Sequence, residues 1–249
     1  MLPLTKGCYT ARLAISAHDV NRAQNLRHLC FIANRGLANR TTDADTFDNL
    51  SQHVLVEDTR SGVLVCCFRL THFAFGATID DSYSAQFYDL SRLAAYRNAI
   101  AELGRFCIHP NHPDPDILRV ALGALTRIVD ATDVQMLFGC TSFHGADPAL
   151  HQDALALLKK AHLAPAHYQP GQKSRYAYRF AETLRDTHPN HTAAVATMPP
   201  LLRTYLAMGA WVSDHAVIDA ALNTLHVFTG LEIGSIPPNR ACLLRALAD

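Results

Sequence analysis

Ala99-Ile-Ala-Glu102-Leu-Gly104-Arg105-Phe-Cys107-Ile-His109 is an apolar strand pattern broken by a carboxylate, a glycine and a guanidinium. The stretch His109-Pro-Asn-His-Pro-Asp-Pro-Asp116 closes it, since prolines withhold amide donors and fix φ. From Asp116 to Asp130, Ile117, Val120, Ala121, Ala124, Leu125 and Ile128 fall on one helical face, and Val134 to Cys140 is an apolar run of buried-strand length. This β-loop-α-β order predicts an α/β fold.

Working outward, residues 8–15 alternate as a strand, and Ser16 with Asp19 three residues on predicts a capped helix ending near Gly36. Residues 53–58 and 63–73 predict an antiparallel hairpin joined by Thr59-Arg-Ser-Gly62. A short helix is expected around 88–96, a helix over Asp147–His162 and a strand over Tyr176–Phe180. Residues 181–198 have the composition of a loop, followed by a helix at 200–208 and a strand at 224–229. The expected sheet is mixed, with helices on both faces.

The chain has 249 residues, 49% of them hydrophobic, so it can bury a sizeable core. We expect one domain over 1–249, with its core at about 8–180 and a C-terminal extension at about 181–249. The 22 basic and 22 acidic residues cancel, which argues against nucleic acid as a partner. Met1-Leu-Pro-Leu-Thr-Lys-Gly7 lacks the features of a signal peptide and no run approaches a membrane span, so a cytoplasmic location is expected. The seven cysteines include no Cys-x-x-Cys pair, and the expectation is reduced thiols, most of them buried, and no metal site. The histidine pairs 109/112 and 188/191 are separated by proline turns that spoil a helical ligand face, which suits exposed loops.

No Gly-x-Ser-x-Gly, Gly-x-Gly-x-x-Gly or Walker loop is present, which removes serine hydrolase, dinucleotide enzyme and kinase. Four constellations remain. Asp43-Ala-Asp45-Thr-Phe-Asp48 is either a solvated acidic loop or a cradle for a cation; it lacks the Gly and terminal Glu of a calcium loop. Arg69 ends the apolar run Val63–Phe68 and needs a carboxylate partner if buried, whether as a structural ion pair or as a clamp on a substrate carboxylate. In Glu102-Leu-Gly-Arg105 the glycine permits a bulge, so carboxylate, arginine and backbone amides can converge on a reacting centre; a half-exposed strand with a surface ion pair is the plainer alternative. Arg119, Arg127, Lys159 and Lys160 are either a solvated face or a landing site for an acidic protein.

Taken in order, these pieces resemble the ornithine Nα-acyltransferases of the GNAT fold and, more distantly, the acyl-homoserine-lactone synthases. The resemblance rests on Tyr9-Thr-Ala-Arg-Leu-Ala-Ile15, Asn25-Leu-Arg27 with Phe31, Asp45-x-x-Asp48, Phe68-Arg69-Leu70, Phe87-Tyr-Asp-Leu-Ser-Arg92 and Glu102-Leu-Gly-Arg105. It continues through Leu137–Phe143, Pro199–Leu206, Gly209-Ala210 and Asp214–Asp219.

The resemblance implies a splayed, GNAT-type mixed sheet with an acyl-pantetheine thioester between the strands at 99–109 and 134–143. It implies Glu102 as the residue near the acceptor amine. Arg27, Phe31, Asp45, Asp48, Arg69 and Arg105 would shape the acceptor and acyl pocket, with strand amides near Cys107 stabilising the oxyanion. The implied enzyme is bacterial, needs no cofactor beyond the acyl thioester, and touches the membrane surface transiently during ornithine lipid biosynthesis.

Two departures refine this expectation. The turn at 109–116 is rich in proline and aspartate, where acetyl-CoA enzymes present a glycine-rich, basic turn to pyrophosphate, so acyl carrier protein is the expected donor. Phe106 stands where relatives more often have Ser, which leaves acyl-chain preference open. Glutamine as acceptor, an acyl-homoserine-lactone synthase and a non-catalytic carrier- or lipid-binding module are the alternatives. Only the last has no need of Glu102.

Overall fold

The computed structural model describes residues 3–37 and 41–249. Its strands are β1 (Leu4–Lys6), β2 (Tyr9–Leu13), β3 (Gln52–Asp58), β4 (Leu64–Phe73), β5 (Tyr88–Asp89), β6 (Ile100–Ile108), β7 (Met136–His144), β8 (Gly171–Gln172), β9 (Ala177–Tyr178), β10 (Trp211–Asp219) and β11 (Thr224–Glu232). Its helices are α1 (Ala17–Phe31), α2 (Pro115–Thr132), α3 (Gln152–Ala161), α4 (Phe180–Thr183), α5 (His191–Thr197), α6 (Pro200–Ala207) and α7 (Pro238–Ala248). The chain divides into two compact units, the first comprising residues 1–72, 103–134 and 237–249 and the second 73–102 and 135–236. β6 is the strand on which the chain passes from the second to the first.

In the first unit the strand order is β1-β2-β3-β4-β6, with β1, β2, β3 and β4 successively antiparallel. α1 starts where the sequence predicts: Ser16 Oγ accepts from the Asp19 amide at 3.2 Å, and the Asp19 carboxylate accepts from the Ile15 amide and from Arg12. α1 ends at Phe31, followed by a 3-10 turn that Gly36 closes in the left-handed region at φ 66°. α2 is capped by Asp114, carries Pro115 in its first turn and buries Ile117, Val120, Ala121, Ala124, Leu125 and Ile128. α7, which lies beyond the last element expected from sequence, packs on α2 at Gly123, where a Cβ would stand 2.5 Å from the Leu247 carbonyl oxygen.

In the second unit the order is β6-β7-β11-β10-β9, with residues 100–102 of β6 parallel to β7 and the remaining pairs antiparallel. Trp211 on β10 covers Gly230 on β11, where a Cβ would stand 2.4 Å from the indole ring. One core gathers Phe143, Leu155, Leu158, Phe180, Leu202, Val212 and Val227; another gathers Phe73, Tyr88, Phe138, Trp211 and Phe228.

Several expected elements differ. The helix expected around 88–96 is instead the two-residue strand β5, paired with β8, and a 3-10 turn at Leu93–Ala95. The expected loop at 181–198 holds most of α4 and all of α5, with Asn190 capping α5 by accepting from the Ala193 amide. The segment 211–232, within the expected extension, supplies β10 and β11, which pair with each other beside β7. Among the described residues no helix is long and apolar enough to cross a membrane.

Candidate active site

The acidic loop is not solvated. Asp43 is 1% exposed and Asp48 is buried, because both carboxylates meet Arg27 of α1. Arg27, on the inner face of α1 and 0% exposed, donates from Nε to Asp43 at 2.8 Å and from Nη1 to Asp48 at 2.7 Å. Arg69 on β4 donates from Nη1 to both Asp45 (2.5 Å) and Asp48 (2.6 Å), and from Nη2 to Asp45. Arg105 on β6 reaches Asp45 at 3.1 Å and Asp43 at 3.2 Å. Three guanidinium groups thus neutralise three carboxylates, which makes burial of the set tolerable.

The local chain explains how the set is held. Asp45 caps the 3-10 turn Thr46–Leu50, and Asp48 returns a bond to the Asp45 amide in a capping box. Gln24 adds a bond to Asp48 at 2.9 Å, and His53 lies with Nε2 3.0 Å from the Asp48 carbonyl. Burial pushes the Asp48 carboxyl up, but Arg27, with Gln24 and Arg69, outweighs it and holds the group well below the usual carboxylate range. Burial keeps His53 below the ordinary histidine value and outweighs the Asp48 carbonyl, so the ring is neutral near pH 7. Arg105 adopts φ 53°, a left-handed conformation rare outside glycine, and this re-aims its side chain. At Gly104 a methyl would stand 3.3 Å from Arg69 Nε, so its absence lets that side chain lie along β6.

Glu102 belongs to the second unit and has partners of its own there. It is 4% exposed; Oε2 accepts from the Tyr83 amide at 2.8 Å, and Oε1 accepts from the Ser84 amide at 2.7 Å and the Ser84 hydroxyl at 2.6 Å. Such a donor set suits an acceptor-only carboxylate.

Cys107 is buried with its sulfur 3.6 Å from that of Cys67, and contact with Cys30 and Cys67, together with burial, raises its thiol well above the ordinary value. A protonated, buried thiol is no covalent nucleophile at neutral pH. The expected burial of the cysteines holds for Cys66, Cys67 and Cys107, whereas Cys8, Cys30 and Cys140 are half-buried and Cys242 is exposed. Phe106 stacks on Phe68 at 5.5 Å, and Phe31, half-buried, lies under the Arg35 guanidinium.

The four cations expected to greet an acidic protein divide. Arg119 and Lys160 are exposed, the former paired with Asp116 at 2.6 Å. Arg127 instead bonds the carbonyls of Ala248, Asp249 and Pro3, tying down the end of α7. Lys159 likewise donates to the carbonyls of Leu184 at 2.6 Å and Arg185 at 2.8 Å. Open carbonyls at chain turns attract a nearby ammonium or guanidinium, so these two serve packing. Among the described residues no group of histidine, cysteine, aspartate and glutamate is placed to hold a metal ion.

Sequence reasoning missed Gln24 and His53 as members of the cluster and Ser84 as a partner of Glu102, and read Asp43 in the acidic constellation without carrying it into the acceptor pocket.

An acetyltransferase (GNAT) domain model matches residues 26–122, which contain the whole Arg/Asp cluster and Glu102. Over 230 residues the chain is 34% identical to an L-ornithine N(alpha)-acyltransferase of Rhodobacter capsulatus, covering 88% of each protein. The chain belongs to this acyltransferase family. A second L-ornithine N(alpha)-acyltransferase, from Brucella abortus, is 32% identical over 243 residues, covering 92% of this chain and 86% of its own. The solved structure of an N-acyl amino acid synthase from uncultured soil microbes shares the fold at a TM-score of 0.52, with 11% identity and 91% of each chain covered. The mixed α/β sheet expected from the residue pattern is present, and the GNAT type that the resemblance implied is shown by the matching domain and the shared fold.

Proposed function

We propose that this family member transfers a (3-hydroxy)fatty acyl group from acyl carrier protein to the α-amine of L-ornithine, making the lyso-aminolipid of ornithine lipid biosynthesis. The relatives' name, carried by chains that match about nine-tenths of this one, is the observation that carries the acceptor. The Arg/Asp cluster supports it. Asp45 and Arg105 are its least buried members, so the side nearest water pairs a carboxylate suited to an ammonium with a guanidinium suited to a carboxylate.

The donor is argued from the turn before α2. Its Pro110, Pro113 and Pro115 have no amide proton, while the amides of Asn111, His112 and Asp116 donate to His109 Nδ1, the His109 carbonyl and Asp114. Asp114 and Asp116 add negative charge where pyrophosphate would lie. A pantetheine arm on a carrier protein has no pyrophosphate to place.

In the reaction the neutral amine attacks the thioester carbonyl, a C–N bond forms and the C–S bond breaks. Glu102 takes the amine proton directly or through water, strand amides near Cys107 steady the oxyanion, and the proton leaves with the carrier thiol. Glu102→Gln should lower turnover about 100-fold or more, the range a positioned base supplies. The deciding experiment incubates the protein with 3-hydroxyacyl carrier protein or the matching acyl-CoA and a panel of amino acids, and identifies N-acyl products by mass. N-acylornithine, formed faster from the carrier, is expected. Acylglutamine, equal use of CoA, or no product would overturn the acceptor, the donor or the catalytic reading in turn.

A further inference from the structure

Glu102 is a closely held carboxylate of the second unit, and Ser84, which bonds it twice, has no role in the reaction as described so far. Ser84 is fully buried and gives Glu102 two bonds, one from its backbone and one from its hydroxyl, both to the same oxygen. A serine hydroxyl has one proton. With that proton directed at Glu102, the contact of 3.4 Å between Ser84 Oγ and Cys140 Sγ must run from the thiol to the hydroxyl. Ser84 therefore passes an orienting bond from β7 to the carboxylate.

The turn that carries Ser84 is itself anchored. Ser82 donates its amide to Ile79 and accepts from the Ala85 amide through its hydroxyl. The Lys173 ammonium donates to the Ala85 carbonyl at 2.7 Å, the Ser174 amide donates to the Phe87 carbonyl, and β5 pairs with β8 through Tyr88 and Asp89. Segment 171–174 thus holds 82–89 from outside while Ser84 and Tyr83 reach Glu102 from inside. This fixing determines the plane of the carboxylate and hence the direction of its lone pairs.

We propose that Ser84 is a positioning residue for the acyl transfer: its amide and hydroxyl fix Glu102 Oε1 so that the carboxylate meets the acceptor amine along a lone pair. This rests on the reading of Glu102 as the base. Proton transfer is sensitive to small misplacements, so loss of the hydroxyl shows in turnover more than in binding.

The test is a double-mutant cycle of Ser84→Ala and Glu102→Gln in the full chain, assayed with 3-hydroxyacyl carrier protein and ornithine, with melting temperatures recorded alongside. Ser84→Ala alone should lower kcat about tenfold or more, the usual effect of losing a bond to a charged group, with both KM values within about twofold of wild type. In the Glu102→Gln background it should lower kcat no further, because its effect is exerted through that carboxylate. Should the alanine variant not fold, Ser84→Cys keeps the volume with a longer, weaker donor and should show a smaller loss in the same pattern. Wild-type kcat in Ser84→Ala beside an inactive Glu102→Gln would overturn the positioning role and leave the base in place. An equal further loss in the Gln background would show that Ser84 acts elsewhere. Full activity of Glu102→Gln alone would remove the base, and the proposal with it.

Discussion

Asp48 and Asp45 sit two turn residues apart and are asked to do different things. Asp48 lies between Arg27 and Arg69 with little access to water, so Asp48→Ala leaves two guanidinium groups facing a cavity. Breaking a buried ion pair from one side costs about 3–5 kcal/mol, and urea denaturation should show a loss of that order. Asp45 lies nearer solvent, where the loss of charge is partly made good by water. Asp45→Ala should therefore spare most of the stability and raise the ornithine KM about tenfold or more, read from initial rates. Equal KM values for Asp45→Ala and wild type would mark the cluster as purely structural. Three acids before a strand and an arginine at the end of an apolar run were visible in the sequence, including the need of Arg69 for a partner. The depth of Asp43 and Asp48 was not, because it comes from Arg27, sixteen or more residues away on a helix that buries Asp19 and Arg27 beside Ala23 and Leu26.

Elements with strong local periodicity were legible: α2, β4, β6 and β7 stand within a few residues of their expected bounds. β10 was missed because Ser213, Asp214 and His215 interrupt its apolar pattern where the register with β11 shifts, between Val212 and Ala216. The polar stretch is satisfied by tertiary bonds: Ser213 Oγ donates to the His215 carbonyl and accepts from the Phe228 amide. α7 was missed because its anchors on α2, among them the notch at Gly123 and the Arg127 side chain, are far away in sequence. That notch is testable. Gly123→Val would put methyl groups into the Leu247 carbonyl and against Leu4, and overpacking of this kind costs about 1–3 kcal/mol. Part of that cost would be offset by the better helix propensity of valine over glycine, a few tenths of a kcal/mol. A lowered melting temperature with early loss of protection in the α7 amides, followed by hydrogen exchange, is expected; unchanged protection there would show that the contact with α2 does not hold α7.

Across both units the charge balance of the folded molecule is set for neutral pH. His53, His72 and His162 are all held below the ordinary value of 6.5, chiefly by burial. The unfolded chain therefore binds these protons first as pH falls, and stability present above about pH 6.5 declines below it. Asp48 and Asp19 are held below the ordinary carboxylate value of 3.8, Asp48 against burial by its arginines and Asp19 mainly by Arg12. Their contribution is complete above that value and is lost as pH falls through the lower folded-state values. Two stages should thus appear in melting temperature against pH: a gradual fall from about pH 6.5 to 5 from the histidines, then a steep one below about pH 4 from the paired carboxylates. His72 isolates the first stage, because its Nε2 is buried without a hydrogen-bond partner and a charge there would have no compensation. His72→Leu removes the titrating ring at similar bulk. The difference in melting temperature between pH 7.5 and 5.5 should shrink in that variant, while the steep acid stage stays where it was. If the wild-type melting temperature is level from pH 7.5 to 5, these histidines already accept protons in the folded state, and the gradual stage does not exist.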